Sequence, residues 1–357
     1  MRPPGSGGRA RVSRHVAVVG GGVVGLFTAL ELRAAGAQVT LLERASPFAE
    51  ASWAGAGVLF PMQPWRYPAS VWARVQHSLA HYRALAAAGH ADIGLLRSGA
   101  WISDEPDRAL AWCERNGVSA EPQQRHGQPG VLVPGVWQVR NPRLGRVLAD
   151  RTRSLGVELL TGGAVQRLVI APESVGVQRS VGPALSVDAV VLCTGVWTDE
   201  LLAGSGLCRL GISPVKGEML LLDDPGLGIA DLHIGHGAYL VPRGDGRVLL
   251  GATECADDAD PRPTPAARAD LLERAAALCP PAAALDVRAQ WTGLRPWRAG
   301  GEPFVGAHPQ CPRVLVHAGH YRNGLGMAPA TARELRERLF PETAGAPGPG
   351  EAILTGA

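Results

Sequence analysis

The chain is 357 residues long, enough for one large unit or two closely joined ones around a substantial core. A net charge of +3, with 46% apolar and 19% charged residues, gives no reason to expect nucleic acid or a membrane surface as partner. The six cysteines (Cys113, Cys193, Cys208, Cys255, Cys279, Cys311) include no CxxC pair. That argues against a zinc ribbon, a dithiol redox motif or a disulfide framework, and suits a reducing, cytoplasmic setting. No stretch approaches the ~20 apolar residues of a membrane-spanning helix.

Residues 1–14 are basic and rich in Pro and Gly, without the apolar run of a secretory signal, so a disordered leader is expected there. His15–Gly20 (HVAVVG) predicts a buried parallel strand. Val24–Ala35 predicts a helix ended by Gly36, and Val39–Leu42 a second strand stopping at Glu43. Apolar residues at Val71, Val75, Leu79, Tyr82 and Leu85 give Pro68–Ala88 a helical rhythm. The pattern is then mixed through about residue 138. Asn141–Leu155 reads as a helix, and Val157–Leu160 and Val187–Cys193 as strands. Segments 211–223 and 237–254 read as an antiparallel sheet with GDG as a turn. A helix over Pro265–Leu278, a strand at Val314–Ala318 and a helix from about Ala328 to Leu339 complete the order. The Pro/Gly/Ala-rich tail, 341–357, is expected to be disordered.

Three motifs carry the chemistry. In Gly20-x-Gly22-x-x-Gly25, between strand and helix, Gly20 allows the tight turn and Gly22 a close approach to pyrophosphate. Gly25 allows helix and strand to pack, and the helix N-terminus attracts the anion. Glu43 lies where a carboxylate accepts hydrogen bonds from an adenosine ribose. This unit predicts a dinucleotide without choosing FAD or NAD. The run Ala51-Ser52-Trp53-Ala54-Gly55-Ala56-Gly57-Val58 allows close backbone approach to something flat. The run Ala318–Gly326 places glycines before a helix, suited to an anion or a developing negative charge.

With the words PWRYP, RNPRL, VVLCTGVWTDELL, PVKGEML, YLVPR, VLLGAT, GLRP, EPFVG and GHYRNGL, these motifs resemble the glycine oxidase branch of the D-amino-acid oxidase superfamily. The matching words run from about residue 15 to 340. The resemblance implies an α/β fold: a Rossmann-like FAD domain of the glutathione-reductase type, and a substrate domain on an antiparallel sheet. Its FAD domain would be discontinuous, over 15–85, 140–210 and 290–340, and the substrate domain would take 86–139 and 211–289.

By motif position Val23 and Val24 would meet the pyrophosphate, and Glu43 and Arg44 the adenosine. Ala51, Ser52, Ala56, Gly57 and Val58 would line the way to the flavin, and Val165 would offer its backbone to adenine. Thr194 and Gly195 would be a further FAD contact. His320, Tyr321, Arg322, Asn323, Gly324, Leu325 and Gly326 would wrap the flavin's pyrimidine end. No cysteine opens the GLRP segment, where covalently flavinylated relatives carry theirs, so FAD is expected to be non-covalent.

Arg295 and Tyr239 match the family's carboxylate-binding pair, and Arg322 a second active-site arginine. A guanidinium can grip a carboxylate through two parallel hydrogen bonds. The flavin carries the chemistry, so no protein base is expected; His320 reads as a backbone contact to the flavin and Lys216 as structural, and no metal is expected. The implied reaction is FAD-dependent oxidative deamination of glycine, with sarcosine or other small amines as secondary substrates. The products would be the imine or oxo acid, ammonia and hydrogen peroxide, in thiamine (thiazole) biosynthesis.

Two alternatives keep the cofactor: a D-amino-acid dehydrogenase, and an amine oxidase of specialised metabolism with another substrate. The expected partners are the amine and molecular oxygen, with no nucleic acid or membrane; whether the chain forms a homo-oligomer stays open. Trp297, the GGEP word, Gly326-Met327 and Glu254 depart from the common pattern, and Glu254 is expected near the pocket rim.

Overall fold

The computed structural model describes residues 14–89, 92–224 and 226–343. The expected leader and tail lie outside these residues, except Arg14 and a short 3-10 turn at Pro341–Thr343.

The first sheet is built around β1 (His15–Val19). Its β-branched run suits a strand covered on both faces. Val16 and Val18 pack with Leu26 of α1 (Val23–Ala34), while Ala17 and Val19 pack on the opposite side with Leu168 and Leu202. Full burial of a side chain like Leu26 contributes about 1.5–3 kcal/mol. β2 (Gln38–Glu43) pairs in parallel with β1. The stretch between β2 and the next strand of this sheet includes the long helices α2 (Ala69–Ala87) and α3 (Asn141–Ser154). β3 (Glu158–Thr161) extends the sheet beyond β2, and β4 (Ala189–Leu192) flanks β1 on its other side.

The second sheet has nine strands. Its centre is β5 (Ile212–Asp223), β6 (Ala238–Pro242) and β7 (Arg247–Gly251), against which α4 (Pro265–Leu278) packs. β8 (Val287–Arg298) pairs with β5 along its length and runs unbroken through residue 290, where the sequence reading set a boundary. The sheet is antiparallel except at one pair, where Leu232–Gly235 runs parallel to Ala100–Ile102. β9 (Phe304–His308) and β10 (Cys311–Ala318) return the chain to the first sheet, whose order is β9-β10-β4-β1-β2-β3.

Two features differ from the sequence reading. The mixed stretch contains a helix, Pro106–Arg115, and strands too short to show a period. The last helix, α5 (Gly324–Leu339), starts four residues before Ala328, with Pro329 inside it. A proline there deprives the Leu325 carbonyl of its helical donor, but the Tyr82 hydroxyl donates to that oxygen at 2.5 Å. A contact from α2 therefore sustains a turn that sequence alone would end.

Candidate functional site

A cavity of about 1030 Å³ runs from the C-terminal ends of β1 and β2 to the second sheet. Gly20 makes its floor possible. At φ 105° its backbone is left-handed, and a Cβ there would stand 2.4 Å from the Cys193 carbonyl oxygen. Gly25 does not line the cavity; a Cβ on it would meet the Gly20 carbonyl oxygen at 1.8 Å, so it serves helix–strand packing. The start of α1 opens onto the cavity at Val23 and Val24, with no acidic residue in its first turn. The Val23 N–H donates to Ser52 Oγ at 3.0 Å. Glu43 accepts from the Gly21 N–H at 2.7 Å and the Ala45 N–H at 2.9 Å, which fixes its carboxylate at the end of β2. Arg44 lies 3.7 Å over the Trp197 ring, and Val165, Thr194 and Gly195 line the same end.

The small-residue run forms the middle of the cavity. Ala51, Ser52, Ala56, Gly57 and Val58 all line it. Side chains outside the run pin it, Trp291 Nε1 donating to the Ala54 carbonyl at 3.0 Å. Asn141 Nδ2 donates to the Ser52 and Gly55 carbonyls at 2.7 and 2.8 Å. Arg243 donates to the Ala56 carbonyl at 2.8 Å, Gln138 Oε1 at 3.0 Å and the Val139 carbonyl at 3.2 Å. Burial pushes the Arg243 guanidinium down to about 9. Gly57 sits at φ 77°, with no room for a Cβ beside Val139.

Across the cavity stand β10 and the N-terminus of α5. His317 bonds Thr28 Oγ1 at 2.9 Å and His320 bonds Thr331 Oγ1 at 3.1 Å, both buried. Burial holds both imidazoles below their ordinary value, His320 at about 3. The unfolded chain therefore binds more protons between about pH 6.5 and 3, and stability is lost as pH falls through that window. The expected slope is about 1.4 kcal/mol per pH unit for each imidazole, readable from urea unfolding at pH 7, 6 and 5. His320→Asn, which keeps a partner for Thr331, should flatten it. His320, Tyr321, Arg322, Asn323, Gly324 and Leu325 line the cavity, whereas Gly326 packs against Val75 of α2.

The far end is polar at its base and apolar on its walls. Arg295 comes from β8 and Tyr239 from β6, with β5 and β7 between them. Glycines make room for both: a Cβ on Gly217 would fall 2.2 Å from Arg295 Nη2, and one on Gly251 2.6 Å from the Tyr239 hydroxyl. Arg295 Nη1 donates to the Thr253 carbonyl at 3.1 Å. Burial lowers Arg295 and raises Tyr239, each opposed by the other's charge. Arg322 donates to Glu254, which also accepts from the Tyr321 hydroxyl. Tyr67 lies against Asn323 and Arg322, and Met219, Ile234 and Ala252 add apolar wall.

The cavity thus gathers the sequence-predicted site residues except Gly25 and Gly326. Sequence reasoning missed Asn141, Arg243, Tyr67 and Trp197, though all four lie in or beside the matching words. Elsewhere, His126, His233 and Cys279 bring ligand atoms within 4.8 Å of one another. Arg125 Nη1, however, stands 3.0 Å from His233 Nε2. A guanidinium only donates, so Nε2 accepts and the ring proton sits on Nδ1, leaving that nitrogen no lone pair for a metal.

The site fits FAD. Bare backbone at Gly20 and Gly22 and a helix N-terminus suit pyrophosphate, and the glycine-lined middle suits a flat ring. The chain matches the FAD dependent oxidoreductase family over residues 15–338. It is similar to the glycine oxidase of Pseudomonas aeruginosa, with 37% identity over 348 residues, 92% of this chain and 95% of that protein. It is also similar to the bifunctional protein ThiO/ThiG of a Nostoc species, with 32% identity over 90% of this chain and 52% of that one. The crystal structure of glycine oxidase from Geobacillus kaustophilus superposes with a TM-score of 0.82 and 27% identity, covering 92% of this chain and 95% of that chain. The match begins at the first residue of β1 and ends in the last turn of α5, so it takes in every wall of the cavity: the chain belongs to the FAD-dependent oxidoreductase family, on the branch of the glycine oxidases, and FAD is its cofactor.

Proposed function

We propose that this chain is a glycine oxidase that binds FAD non-covalently and produces the imine or oxo acid, ammonia and hydrogen peroxide. Sarcosine and other small amines would be secondary substrates. The observation that carries the reading is the Arg295–Tyr239 pair at the end of a dinucleotide-sized cavity, a cation and a hydroxyl with donors to spare for one carboxylate. The redox chemistry, acceptance of a hydride from Cα and passage of two electrons to oxygen, is what FAD supplies when bound.

In this reading Val23, Val24 and Ser52 would hold the pyrophosphate, Glu43, Arg44 and Val165 the adenosine, and residues 320–325 the pyrimidine end of the ring. Arg295 and Tyr239 would orient the substrate by its carboxylate, so that Cα is presented at a fixed distance. The apolar surface of Met219, Ile234 and Ala252 excludes water and strengthens that attraction. Arg295 and Arg322 outnumber Glu254 in charge. The excess positive charge favours the neutral amine over the ammonium, the form that can lose a hydride. No side-chain base is then needed.

Among the described residues no helix is long and apolar enough to cross a membrane. We place the enzyme in the cytoplasm and in thiamine (thiazole) biosynthesis, a setting the ThiO/ThiG relative supports. The test is a peroxide assay of the holoenzyme over a panel of amines. Glycine oxidation with one peroxide per glyoxylate is expected. Reduction of an artificial dye without peroxide would favour a dehydrogenase, and no glycine turnover would remove the assignment.

A further inference from the structure

Consecutive residues serve the two guanidiniums of the substrate end. The Thr253 carbonyl accepts from Arg295, and the Glu254 carboxylate accepts from Arg322. Thr253 is itself tied to β5, accepting from the Glu218 N–H at 2.8 Å, so the backbone beside Glu254 is held in place. Tyr321 completes the cluster. Its φ of 51° is left-handed, unusual for a tyrosine. From there its hydroxyl reaches Glu254, and its ring lies 5.3 Å from the Arg322 guanidinium. Three side chains thus close on one another at the cavity mouth, with Arg322 already holding an anion. Arg295 meets the neutral Thr253 carbonyl oxygen and the Tyr239 hydroxyl, and among the described residues no carboxylate is hydrogen-bonded to it.

We propose that Glu254 is a specificity-determining residue: by occupying Arg322 it leaves one vacant cation, Arg295, and so selects amines with a single carboxylate over those with two. The inference rests on the glycine oxidase reading and names what that site rejects. Two guanidiniums and one carboxylate leave one positive charge, which one substrate carboxylate neutralises. A second carboxylate directed at the mouth must displace Glu254 from Arg322, and two like charges then compete for one partner. Arg322 and Glu254 are 37% and 49% exposed, so solvent screens the pair and the discrimination is modest, about fivefold at most.

The experiment compares wild-type holoenzyme with Glu254→Gln and Glu254→Asp, each checked for flavin content and circular dichroism. Turnover is measured with glycine and with iminodiacetate, which is glycine carrying a second carboxymethyl arm. Binding of acetate and of malonate, neither of which has an amine to oxidise, is followed by the flavin absorbance change. Glu254→Gln is expected to raise kcat/KM for iminodiacetate relative to glycine by up to about fivefold, through KM. It should tighten malonate by up to about fivefold relative to acetate, whereas Glu254→Asp, which keeps the charge, should retain most of the wild-type preference. Unchanged ratios in Glu254→Gln would overturn the proposal while glycine turnover by the wild type left the functional reading standing. If the wild type oxidised no amine, that reading would fail, and the acetate–malonate comparison would still decide the role of Glu254.

Discussion

Arg295→Ala is expected to lower kcat/KM for glycine by about one to two orders of magnitude, with flavin content per chain unchanged. A hydrogen bond to a charged partner is worth about 1.5–3 kcal/mol, and 1.4 kcal/mol is a factor of ten. KM should rise because carboxylate binding is lost in the ground state, and kcat should fall because Cα is no longer held in place. Flavin content is the control: Arg295 bonds to the Thr253 carbonyl and meets Tyr239, far from the nucleotide end of the cavity. Arg295→Lys should recover only part of the loss, since an ammonium offers a point charge where a guanidinium offers two parallel donors. Steady-state peroxide assays and flavin absorbance decide it, and glycine kinetics unaltered by Arg295→Ala would end the carboxylate assignment.

Arg243→Met is expected to act on the cofactor instead. The side chain donates to Ala56, Gln138 and Val139, and two of these acceptors are backbone carbonyls, that of Ala56 inside the glycine-lined run and that of Val139 beside Gly57. A buried acceptor stripped of its donor costs about 1–3 kcal/mol. With some rehydration of the gap, a net loss of about 3 kcal/mol in unfolding free energy is reasonable. The methionine keeps much of the volume but none of the donors. Flavin content should fall with stability, because the freed loop no longer holds Ala56 and Gly57 in place. Denaturant unfolding and flavin-to-protein absorbance would measure both; full flavin content with wild-type stability would show that Arg243 does not hold the loop.

The two substitutions also mark where sequence reading reached and where it stopped. Arg295 stood out because a charged residue inside the GLRP word matched a known role. Arg243 lay in the YLVPR word beside Tyr239, but nothing local announced that its guanidinium turns away from the substrate end to grip Ala56. The last helix shows the same limit. The sequence reading began it at about Ala328, and the donor that Pro329 withholds from the Leu325 carbonyl comes from Tyr82, 243 residues from Leu325 in the chain.

The nucleotide end was legible because its determinants are local. β1, the glycine turn, α1 and β2 lie within thirty residues, and their periods and glycines report conformations that neighbours in sequence impose. The substrate end was legible only as a set of residue types. That Arg295 and Tyr239 share one site depends on β5 and β7 lying between their strands, with Gly217 and Gly251 placed beneath the two side chains. That Glu254 meets Arg322 depends on a strand end of the second sheet facing the N-terminus of a helix on the first. Such meetings follow from the pairing of distant strands, and a local pattern carries no record of its distant partner. The sequence by itself therefore determined the cofactor class and offered Arg295 as the proposed cation for a carboxylate, while the tertiary structure alone showed that Arg322 is already held by Glu254.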